Sequence, residues 1–427
     1  RPTGPAVMNR THKIALAPNR EQGAPFAQHA GYARVAYNHA LADFKTGLDE
    51  GEWRNDRTLR PRFNAVKFEM YPWARTLCQN AGKYAIIAVG DAVKAWRNPM
   101  QTNRFPRFKS RRKHTRSFRA DNGPDTIRVD GKRIHLPKIG WVKMRENLRF
   151  VGSIREVSIV QDGGRWFARV AVKTTDKPAP FDPSRPTLGV DVGISTLATV
   201  SDGTRYENPG PLARLGRRLA RMQKAVSRSE NVHGVNKRSN RRDRKRLAVG
   251  NLHTRIKNLR EDAHHKATTA IAVAGGVIGV ESLNVRGMQK NRSLAKHIAD
   301  ASLGGFLLKL EYKAEMYGAK VIAADQWFPS SKTCSACGAV KSELTLGERV
   351  FKCQASCPRI DRDLNAAINL REYAAASYAE AQNGRGESVS PSRRDVAAVL
   401  DEASTPLRRR AAAMSPVPDL ALSNVAD

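Results

Sequence analysis

The most constraining feature of this 427-residue sequence is its formal net charge of +34, which results from 74 lysines and arginines and only 40 acidic residues. A compact fold with that excess repels itself, so we expect a polyanionic partner to neutralise it. The longest apolar runs, around Ala85–Val89 and Ala270–Val280, fall well short of the roughly 18 residues that a membrane-spanning helix requires. Nucleic acid, rather than an anionic membrane surface, is therefore the predicted partner.

Length and cysteine content indicate the number of domains and the compartment. A chain of this length accommodates two or three domains of about 150 residues and can bury a core without disulfide bonds. Four of the five cysteines fall between Cys334 and Cys357, and Cys78 lies alone in an apolar helical stretch. This distribution indicates a reducing compartment, one metal site and a core position for Cys78. Arg1–Val7 lacks the apolar core of a signal peptide, and we expect the natural start at Met8.

The first hundred residues have mainly helical periodicity. Asn9–Leu16 predicts a strand. From Glu21 to about Leu48, apolar residues recur at the three- and four-residue spacing of a helix face. The same reasoning predicts a second helix near Arg60–Met70 and a third from about Ala74 to Trp96.

A strongly basic segment follows the helices. Residues 104–119 contain eight basic side chains, no acidic one, and the interleaved Phe105, Phe108 and Phe118. A solvated basic loop is one interpretation, but basic residues interleaved with aromatic ones favour contact with a phosphate backbone and with bases. The predicted contact residues are Arg104, Arg107, Lys109, Arg111, Arg112, Lys113, Arg116 and Arg119.

The next part of the chain has the alternation of β-strands. Between Thr126 and Thr174, turn signals at Asp130-Gly131 and at Asp162-Gly163-Gly164 separate the strands. Ile154–Val160 and Trp166–Val172 form the clearest predicted hairpin, and a small barrel would accommodate these strands. The proline-rich segment Pro178–Pro186 is predicted to be a linker.

A third block begins at Thr187 and mixes strands with helices. Leu188–Val190, Thr196–Val200 and Val277–Val280 are predicted to be strands, the first and third of them continuous apolar runs that suit buried positions. The predicted helices span Leu212 to about Ile271, Ala295–Tyr317 and Asp363–Ala375. Residues after about Gln382 are rich in Ser, Pro, Ala and Arg without an aromatic residue, which predicts a disordered tail.

Three acidic residues stand at the ends of buried elements. Asp191 and Glu281 each follow an apolar strand, and Asp363 opens a helix of small residues. A lone buried carboxylate is unfavourable by several kcal/mol, so each needs a cation or a partner. Each acid taken alone suits a strand-end cap or a salt bridge. Together, in a basic protein, they predict two Mg²⁺ or Mn²⁺ ions that support phosphodiester hydrolysis.

The clustered cysteines have the spacing of a zinc knuckle. Cys334 and Cys337 form one pair, and Cys353 and Cys357 form a second pair that is one residue wider than the common spacing. Because thiolates suit Zn²⁺, a structural zinc ion is predicted. Free cysteines or a vestigial site are the alternative.

These motifs together resemble the TnpB (OrfB) family of insertion-sequence proteins, which are relatives of the type V CRISPR effectors. The match extends over roughly residues 9 to 375, and the order of its motifs makes it specific. The main motifs are Leu188–Thr199 (LGVDVGISTLAT), Gly279–Val285 (GVESLNV), Phe328–Gly338 (FPSSKTCSACG) and Asp361–Asn369 (DRDLNAAIN). Shorter matches occur at Lys13–Ala17, Tyr37–Asn38 and Leu136–Lys143.

The resemblance implies an α/β multidomain architecture. Its RNase H-like RuvC nuclease domain would carry an inserted zinc knuckle and follow a wedge β-barrel and a helical recognition lobe. The implied ranges are 8–20 and 119–180 for the wedge barrel, 21–118 for the recognition lobe, 187–327 and 359–380 for the RuvC domain, 328–358 for the zinc knuckle and 381–427 for the tail.

The resemblance also implies roles for individual residues. Asp191, Glu281 and Asp363 match the catalytic metal-binding triad, with Asp361 as the second choice for the third position. Cys334, Cys337 and Cys353 match three zinc ligands. The fourth ligand is displaced by one residue to Cys357, and we expect it to complete the site. Residues that read a short DNA motif are expected near Gln79 and in the barrel.

The function implied in this way is an RNA-guided DNA endonuclease. Its partners would be a guide RNA transcribed from the element and a double-stranded DNA target beside a short adjacent motif. Its expected location is the prokaryotic cytoplasm, in association with the nucleoid. A type V CRISPR effector shares the motifs and stays an alternative. A guided DNA-binding repressor would have lost an acid, and a transposase that joins DNA ends has no sequence feature in its favour.

Overall fold

The structure of this protein is a computed structural model, and it describes residues 8–100, 103–111, 114–123, 126–174, 176–233, 239–345, 347–355 and 357–382. Arg112 and Lys113 of the basic segment, the first seven residues and the predicted tail from residue 383 lie outside the described residues. Within the described ranges, no helix is both long enough and apolar enough to cross a bilayer.

The N-terminal part contains one strand and three helices, as predicted. They are β1 (Asn9–Ala17), α1 (Arg20–Asp49), α2 (Asp56–Met70) and α3 (Gln79–Arg97), with a 3₁₀ turn at Pro72–Thr76. Asparagine caps begin the first two helices: the side chain of Asn19 accepts from Gln22 N–H, and that of Asn55 accepts from Arg57 and Thr58 N–H. The third helix begins five residues later than predicted.

Seven strands form an antiparallel sheet that packs against these helices. In chain order they are β1 with β2 (Ser117–Asp121), β3 (Arg128–Asp130), β4 (Arg133–Leu136), β5 (Gly140–Met144), β6 (Gly152–Asp162) and β7 (Arg165–Thr174). Their spatial order is β2-β6-β7-β1-β5-β4-β3. Both predicted hairpin turns are present, and the side chains from the sheet and from α1 to α3 share one hydrophobic core.

The predicted barrel is hydrogen-bonded as an open sheet. β2 and β3 are its edge strands, and within the described residues no ladder joins them. The two halves of the sheet meet at β1, which pairs with β7 over seven residues, Asn9–Ala15, and with β5 only at Leu16 and Ala17. This short second ladder lets the sheet bend at β1 without closing on itself.

A second, five-stranded sheet lies in the C-terminal half. Its strands are β8 (Thr187–Val192), β9 (Thr196–Val200), β10 (Arg205–Glu207), β11 (Val277–Val280) and β12 (Lys320–Ala323), in the spatial order β10-β9-β8-β11-β12. β8, β11 and β12 run parallel, and β9 and β10 are antiparallel to their neighbours. A two-stranded ribbon of β13 (Val350–Phe351) and β14 (Ile360–Asp361) lies near the cysteines.

Six helices accompany the second sheet. They are α4 (Pro211–His233), α5 (Asn240–Ala274), α6 (Val285–Gln289), α7 (Ala295–Ala301), α8 (Leu303–Tyr317) and α9 (Arg362–Gln382). The single helix predicted over Ala295–Tyr317 is divided at Ser302, whose φ of 51° is left-handed. Apolar side chains of α5 and α8, such as Ile271 and Phe306, share a second core with alternate residues of β8 and β11.

The segment predicted to be a proline-rich linker has no regular structure, yet it is anchored to the second half. Arg185 donates hydrogen bonds to the carbonyl oxygens of Val273 (3.0 Å) and Tyr317 (2.9 Å). The aromatic ring of Phe181 packs against Tyr378 of α9 at 5.6 Å. These contacts attach the segment to α5, α8 and α9.

Candidate functional site

The strand register places two of the predicted acids side by side. β8 and β11 are parallel, and Gly189 lies opposite Gly279. Asp191 and Glu281 each follow one of these glycines by two residues, so the alternation of the strands puts both carboxylates on the same face of the sheet as the glycines. Leu188 and Val190 point the other way, into the core shared with α5 and α8.

The two glycines allow α9 to lie very close to this face. A Cβ atom on Gly189 would stand 1.8 Å from the carbonyl oxygen of Ala367, and one on Gly279 would stand 2.2 Å from that of Leu370. Both distances are far below van der Waals contact, so only glycine permits the approach. Asp363 precedes Ala367 by one helical turn, and the close packing therefore brings it to the strand that carries Asp191.

Asp361, the second choice for the third acid, has a different role in the structure. Its Oδ1 accepts hydrogen bonds from the backbone N–H groups of Asp363 (3.1 Å) and Leu364 (3.0 Å), which is the geometry of a helix N-cap. Its Oδ2 forms an ion pair with Arg205 at 3.0 Å. The carboxylate of Asp363 forms an ion pair with its neighbour Arg362 at 3.3 Å. The geometry thus favours Asp363 over Asp361 as the third metal ligand.

The electrostatics of Asp191 indicate that other acidic groups lie near it. Burial, and then the nearby carboxylates of Glu281 and Asp363, raise the pKa of Asp191 well above its usual value. Arg362 opposes this shift, and Asp361 adds a smaller contribution in the same direction as the other two acids. Crowded carboxylates in a poorly hydrated place favour a bound cation, because a cation relieves both burial and mutual repulsion. The donor set consists of hard oxygen atoms, which suit Mg²⁺ or Mn²⁺.

Glu281 has one further contact, which links it to the cysteine-bearing segment. The Ser330 hydroxyl donates a hydrogen bond to Glu281 Oε1. Ser330 is only 3% exposed. Sequence reasoning included Ser330 in a motif without giving it a role, because a serine in a loop has no signal that identifies its distant partner.

The four clustered cysteines come together, including the displaced one. The sulfur atoms of Cys334, Cys337, Cys353 and Cys357 all lie within 4.8 Å of one another, so this group could hold a metal ion. The N–H of Ala355 lowers the pKa of Cys353 to about 7, whereas the neighbouring thiols, Cys337 first, raise the pKa of Cys357 to about 12. A bound cation would stabilise all four sulfurs as thiolates, which is the form that binds metal.

The fifth cysteine lies elsewhere, as predicted. Cys78 is 6% exposed within the first hydrophobic core. Its backbone N–H donates to His29 Nε2 at 3.0 Å, which anchors the chain just before α3 begins at Gln79. This tertiary hydrogen bond accompanies the late start of the third helix.

The predicted nucleic-acid-binding residues divide into exposed and packed groups. Arg104, Arg107 and Arg111 are exposed. Lys109 is half-buried, with its ammonium 3.6 Å from the ring centroid of Tyr37, and burial lowers the pKa of Lys109. Arg119 forms an ion pair with Glu156. Within this segment, the exposed arginines are therefore better placed to bind phosphate than Lys109 or Arg119.

The interleaved aromatic residues mostly do not face solvent. Phe118 is 5% exposed and packs against Phe26 in the first core. Phe105 packs against Trp96 at 5.0 Å, and only Phe108 is well exposed, at 47%. Neighbouring helices and strands cover the rings of Phe118 and Phe105, so Phe108 is the best exposed of the three for contact with bases, and that contact stays a prediction.

A cavity of about 490 Å³ lies between α1, α3 and the strands β2, β6 and β7. Alanine side chains of the two helices form part of its wall. Its basic side chains come from the helices, from the basic segment and from the strands, and three of them, Lys109, Arg116 and Arg119, are predicted nucleic-acid contacts. The basic lining residues are Arg34, Lys109, Arg116, Arg119 and Arg169.

Gln79 is held by the protein itself. Its Nε2 donates to the carbonyl oxygens of Ala74 (2.7 Å) and Leu77 (3.0 Å), and its Oε1 accepts from the Tyr32 hydroxyl (3.0 Å). These bonds stabilise the turn before α3. A role for Gln79 in reading DNA stays a prediction, and it would require the side chain to exchange these partners.

Three family models match successive parts of the chain. One, a helix-turn-helix domain of OrfB proteins, matches residues 8–52. A second, described as "Probable transposase" (OrfB of IS605), matches residues 169–292, and a third, the TNB domain of Cas12f1-like proteins, matches residues 304–370. A Streptomyces pristinaespiralis protein named "Putative RNA-guided DNA endonuclease" is 31% identical over 395 residues, which cover 90% of this chain and 93% of that protein. The chain belongs to the TnpB (OrfB) family.

Further relatives agree with this membership. InsQ of Escherichia coli strain K12, whose name also describes an RNA-guided DNA endonuclease, is 27% identical to this TnpB-family chain over 390 residues, 84% of this chain and 90% of InsQ. Among solved structures, a Cas12f1 chain from a complex with sgRNA and target DNA aligns with a TM-score of 0.51 at 12% identity. That alignment covers 86% of this chain and 99% of the Cas12f1 chain, and at this identity it shows a shared fold.

Proposed function

We propose that this chain is an RNA-guided DNA endonuclease of the TnpB type. One observation carries the proposal: Glu281 and Asp363, which lie far from Asp191 in the sequence, are near it in the fold and, after burial, are the largest causes of its raised pKa. The names of the full-length relatives supply the RNA guide and the DNA target as partners. The net charge of +34 supports both, since each partner is a polyanion.

Within this proposal the second sheet, with α5 and α8 on one face and α9 on the other, forms the RNase H-like RuvC nuclease domain. Three adjacent parallel strands, β8, β11 and β12, are extended at the β8 side by the antiparallel strands β9 and β10, and this order supports the assignment. The cysteine-bearing segment before α9 would be the inserted zinc knuckle. The first sheet would serve as the wedge domain and α1 to α3 as the recognition lobe.

Asp191, Glu281 and Asp363 would hold two Mg²⁺ or Mn²⁺ ions. Such ions, when bound, stabilise the attacking and leaving oxygens of a phosphodiester. Within the chain, Gly189 and Gly279 set the distance between the acids, and the cap by Asp361 fixes the first turn of α9 that carries Asp363. The ion pair between Arg362 and Asp363 places a positive charge beside the third acid.

Two alternatives share parts of this site. A 216-residue match of 24% identity to Cas12f1 of Sulfoacidibacillus thermotolerans, a CRISPR-associated endodeoxyribonuclease by name, keeps the effector alternative open. A guided repressor that does not cleave is disfavoured, because all three acids are present and Glu281 and Asp363 lie near Asp191.

Sequencing the RNA that co-purifies with the protein tests whether an RNA guides it. A guide with an element-derived scaffold supports the proposal, and an absence of RNA contradicts it. Cleavage of a DNA that matches this guide then tests the endonuclease.

We expect one zinc ion per chain at the cysteine cluster. A zinc knuckle contributes folding energy directly, so Cys334→Ser should lower the zinc content and the melting temperature of the protein. Cys357→Ser should also lower the zinc content, because its sulfur lies with the other three. Elemental analysis of chelator-free protein checks this, with Cys78→Ser as a matched control. No bound zinc in the parent protein, or full zinc content in Cys357→Ser, would contradict the four-thiolate site.

Replacing Arg104, Arg107 and Arg111 by alanine should weaken guide and target binding and flatten its dependence on salt. Each lost phosphate contact reduces the slope of log K against log[salt] by about 0.9 on duplex DNA, so the triple variant should lose a slope of about 2 to 3. Fluorescence anisotropy across a salt series measures this. Lys266→Ala is the control, because Asp262 already pairs with Lys266 at 2.7 Å. If the triple variant keeps the salt slope of the parent protein, these arginines do not contact phosphate and the segment is an ordinary solvated loop.

A further inference from the structure

The loop that leads into the cysteine cluster contacts a proposed metal ligand directly. Ser330 lies four residues before Cys334, and its hydroxyl donates to Glu281 Oε1. Ser330 is 3% exposed, so water has little access to compete for this hydrogen bond. The bond fixes the rotation of the Glu281 carboxylate and leaves its second oxygen for another partner.

Asn369 of α9 holds the backbone of this loop in place. Its Nδ2 donates to the carbonyl oxygens of Ser330 and Thr333, both at 2.7 Å. Asn369 is 6% exposed, so loss of its amide would leave two carbonyl oxygens without this donor in a buried place.

Asn365 makes the corresponding contacts one helical turn earlier. Its Nδ2 donates to Thr333 O at 2.7 Å, and its Oδ1 accepts from Ser335 N–H at 2.9 Å. Asn365 is fully buried. The two asparagines therefore attach the first cysteine-bearing turn to the same helix that carries Asp363 in its first turn.

We propose that Ser330 is a positioning residue for Glu281, and that Asn369 sets the position of Ser330. Through this chain of hydrogen bonds the loop before the cysteine cluster controls how tightly the acids bind a divalent cation. The inference rests on the proposed function for the identity of the acids as metal ligands. Hydrogen bonds to a ligand from a neighbouring side chain fix its orientation and commonly influence metal affinity about 10- to 100-fold.

The test measures cation binding without relying on cleavage. Full-length protein as purified is titrated with Mn²⁺, and free Mn²⁺ is followed by electron paramagnetic resonance. The Asp191→Ala variant defines the background from other sites. Ser330→Ala should weaken the Asp191-dependent binding about tenfold. Ser330→Thr keeps a hydroxyl and should restore binding to within about threefold of the parent protein.

Asn369→Ala provides a second variant that leaves the Ser330 hydroxyl in the chain. Asn369→Ala should also weaken Mn²⁺ binding. The zinc content of Ser330→Ala and of Ser330→Thr should equal that of the parent protein. Equal Mn²⁺ affinity in Ser330→Ala and the parent protein overturns the proposal, and so does weak binding by Ser330→Thr. A parent protein that binds Mn²⁺ through Asp191 but cuts no DNA would refute the proposed function alone.

Discussion

Replacing Asp191, Glu281 or Asp363 by alanine, one at a time, should lower guided DNA cleavage by at least about 10³-fold while RNA and DNA binding persist. Bound metal ions contribute several kcal/mol to stabilising the transition state, and each 1.36 kcal/mol is a factor of ten in rate. Distant lysines and arginines keep the phosphate contacts that hold both nucleic acids. Single-turnover cleavage rates and gel-shift affinities, measured on the same preparations, check the two halves of this expectation.

Asp361 provides the control for this series. Asp361→Asn keeps a side-chain oxygen that can accept from the N–H groups of Asp363 and Leu364, so cleavage should stay close to that of the parent protein. Asp361→Ala removes the cap and should lower stability by about 1 kcal/mol. Normal cleavage by Asp363→Ala together with inactive Asp361→Asn would reverse the assignment of the third acid. Cleavage that continues in EDTA would contradict the metal ions themselves.

Replacing Gly189 by alanine should displace α9 and abolish cleavage, although Gly189 bears no functional group. The added Cβ would stand 1.8 Å from the carbonyl oxygen of Ala367, and neither the strand nor the helix backbone can move cheaply. Overpacking of this kind costs about 1–3 kcal/mol, which predicts a fall of roughly 2–12 °C in melting temperature for a domain of about 200 residues. Calorimetry and the cleavage assay measure the two effects.

Gly23→Ala is the matched control for this substitution. No heavy atom lies within 4 Å of a Cβ built on Gly23 in α1, and its φ is not in the left-handed region. Alanine is favoured over glycine in helices by about 1 kcal/mol, so this variant should be as stable as the parent protein or more so. A Gly189→Ala variant that melts and cleaves like Gly23→Ala would show that α9 does not need the close approach.

Individual helices, strands and the cysteine cluster could be predicted from the sequence, because residues close together in the chain determine them. The periodicity from Glu21 to Leu48 predicted α1, and the apolar runs at Leu188–Val190 and Val277–Val280 predicted β8 and β11. The spacing of the cysteines predicted their grouping, and the structure confirms that all four sulfurs meet. The roles of Asp191, Glu281 and Asp363 came from their places at element ends and from the resemblance, and their metal binding stays a prediction.

Other features depended on contacts between residues far apart in the chain. Ser302 interrupts one predicted helix, and the N–H of Cys78 bonds to His29 where another begins late. Phe118 resembles an exposed base-stacking residue among its basic neighbours, yet packing against Phe26 places it in the core. Periodicity reports which face is apolar, but it does not report which distant surface covers that face.

The proposed nuclease centre shows the same division between local and tertiary information. By itself, the sequence determined that carboxylates end two buried strands and begin a helix of small residues. Only the tertiary structure decided that Asp361 caps α9, that Glu281 and Asp363 lie near Asp191, and that Ser330 holds Glu281. The physical reason is that strand register and the approach of α9 over Gly189 and Gly279 determine how these residues come together, and both arise from packing between segments far apart in the chain.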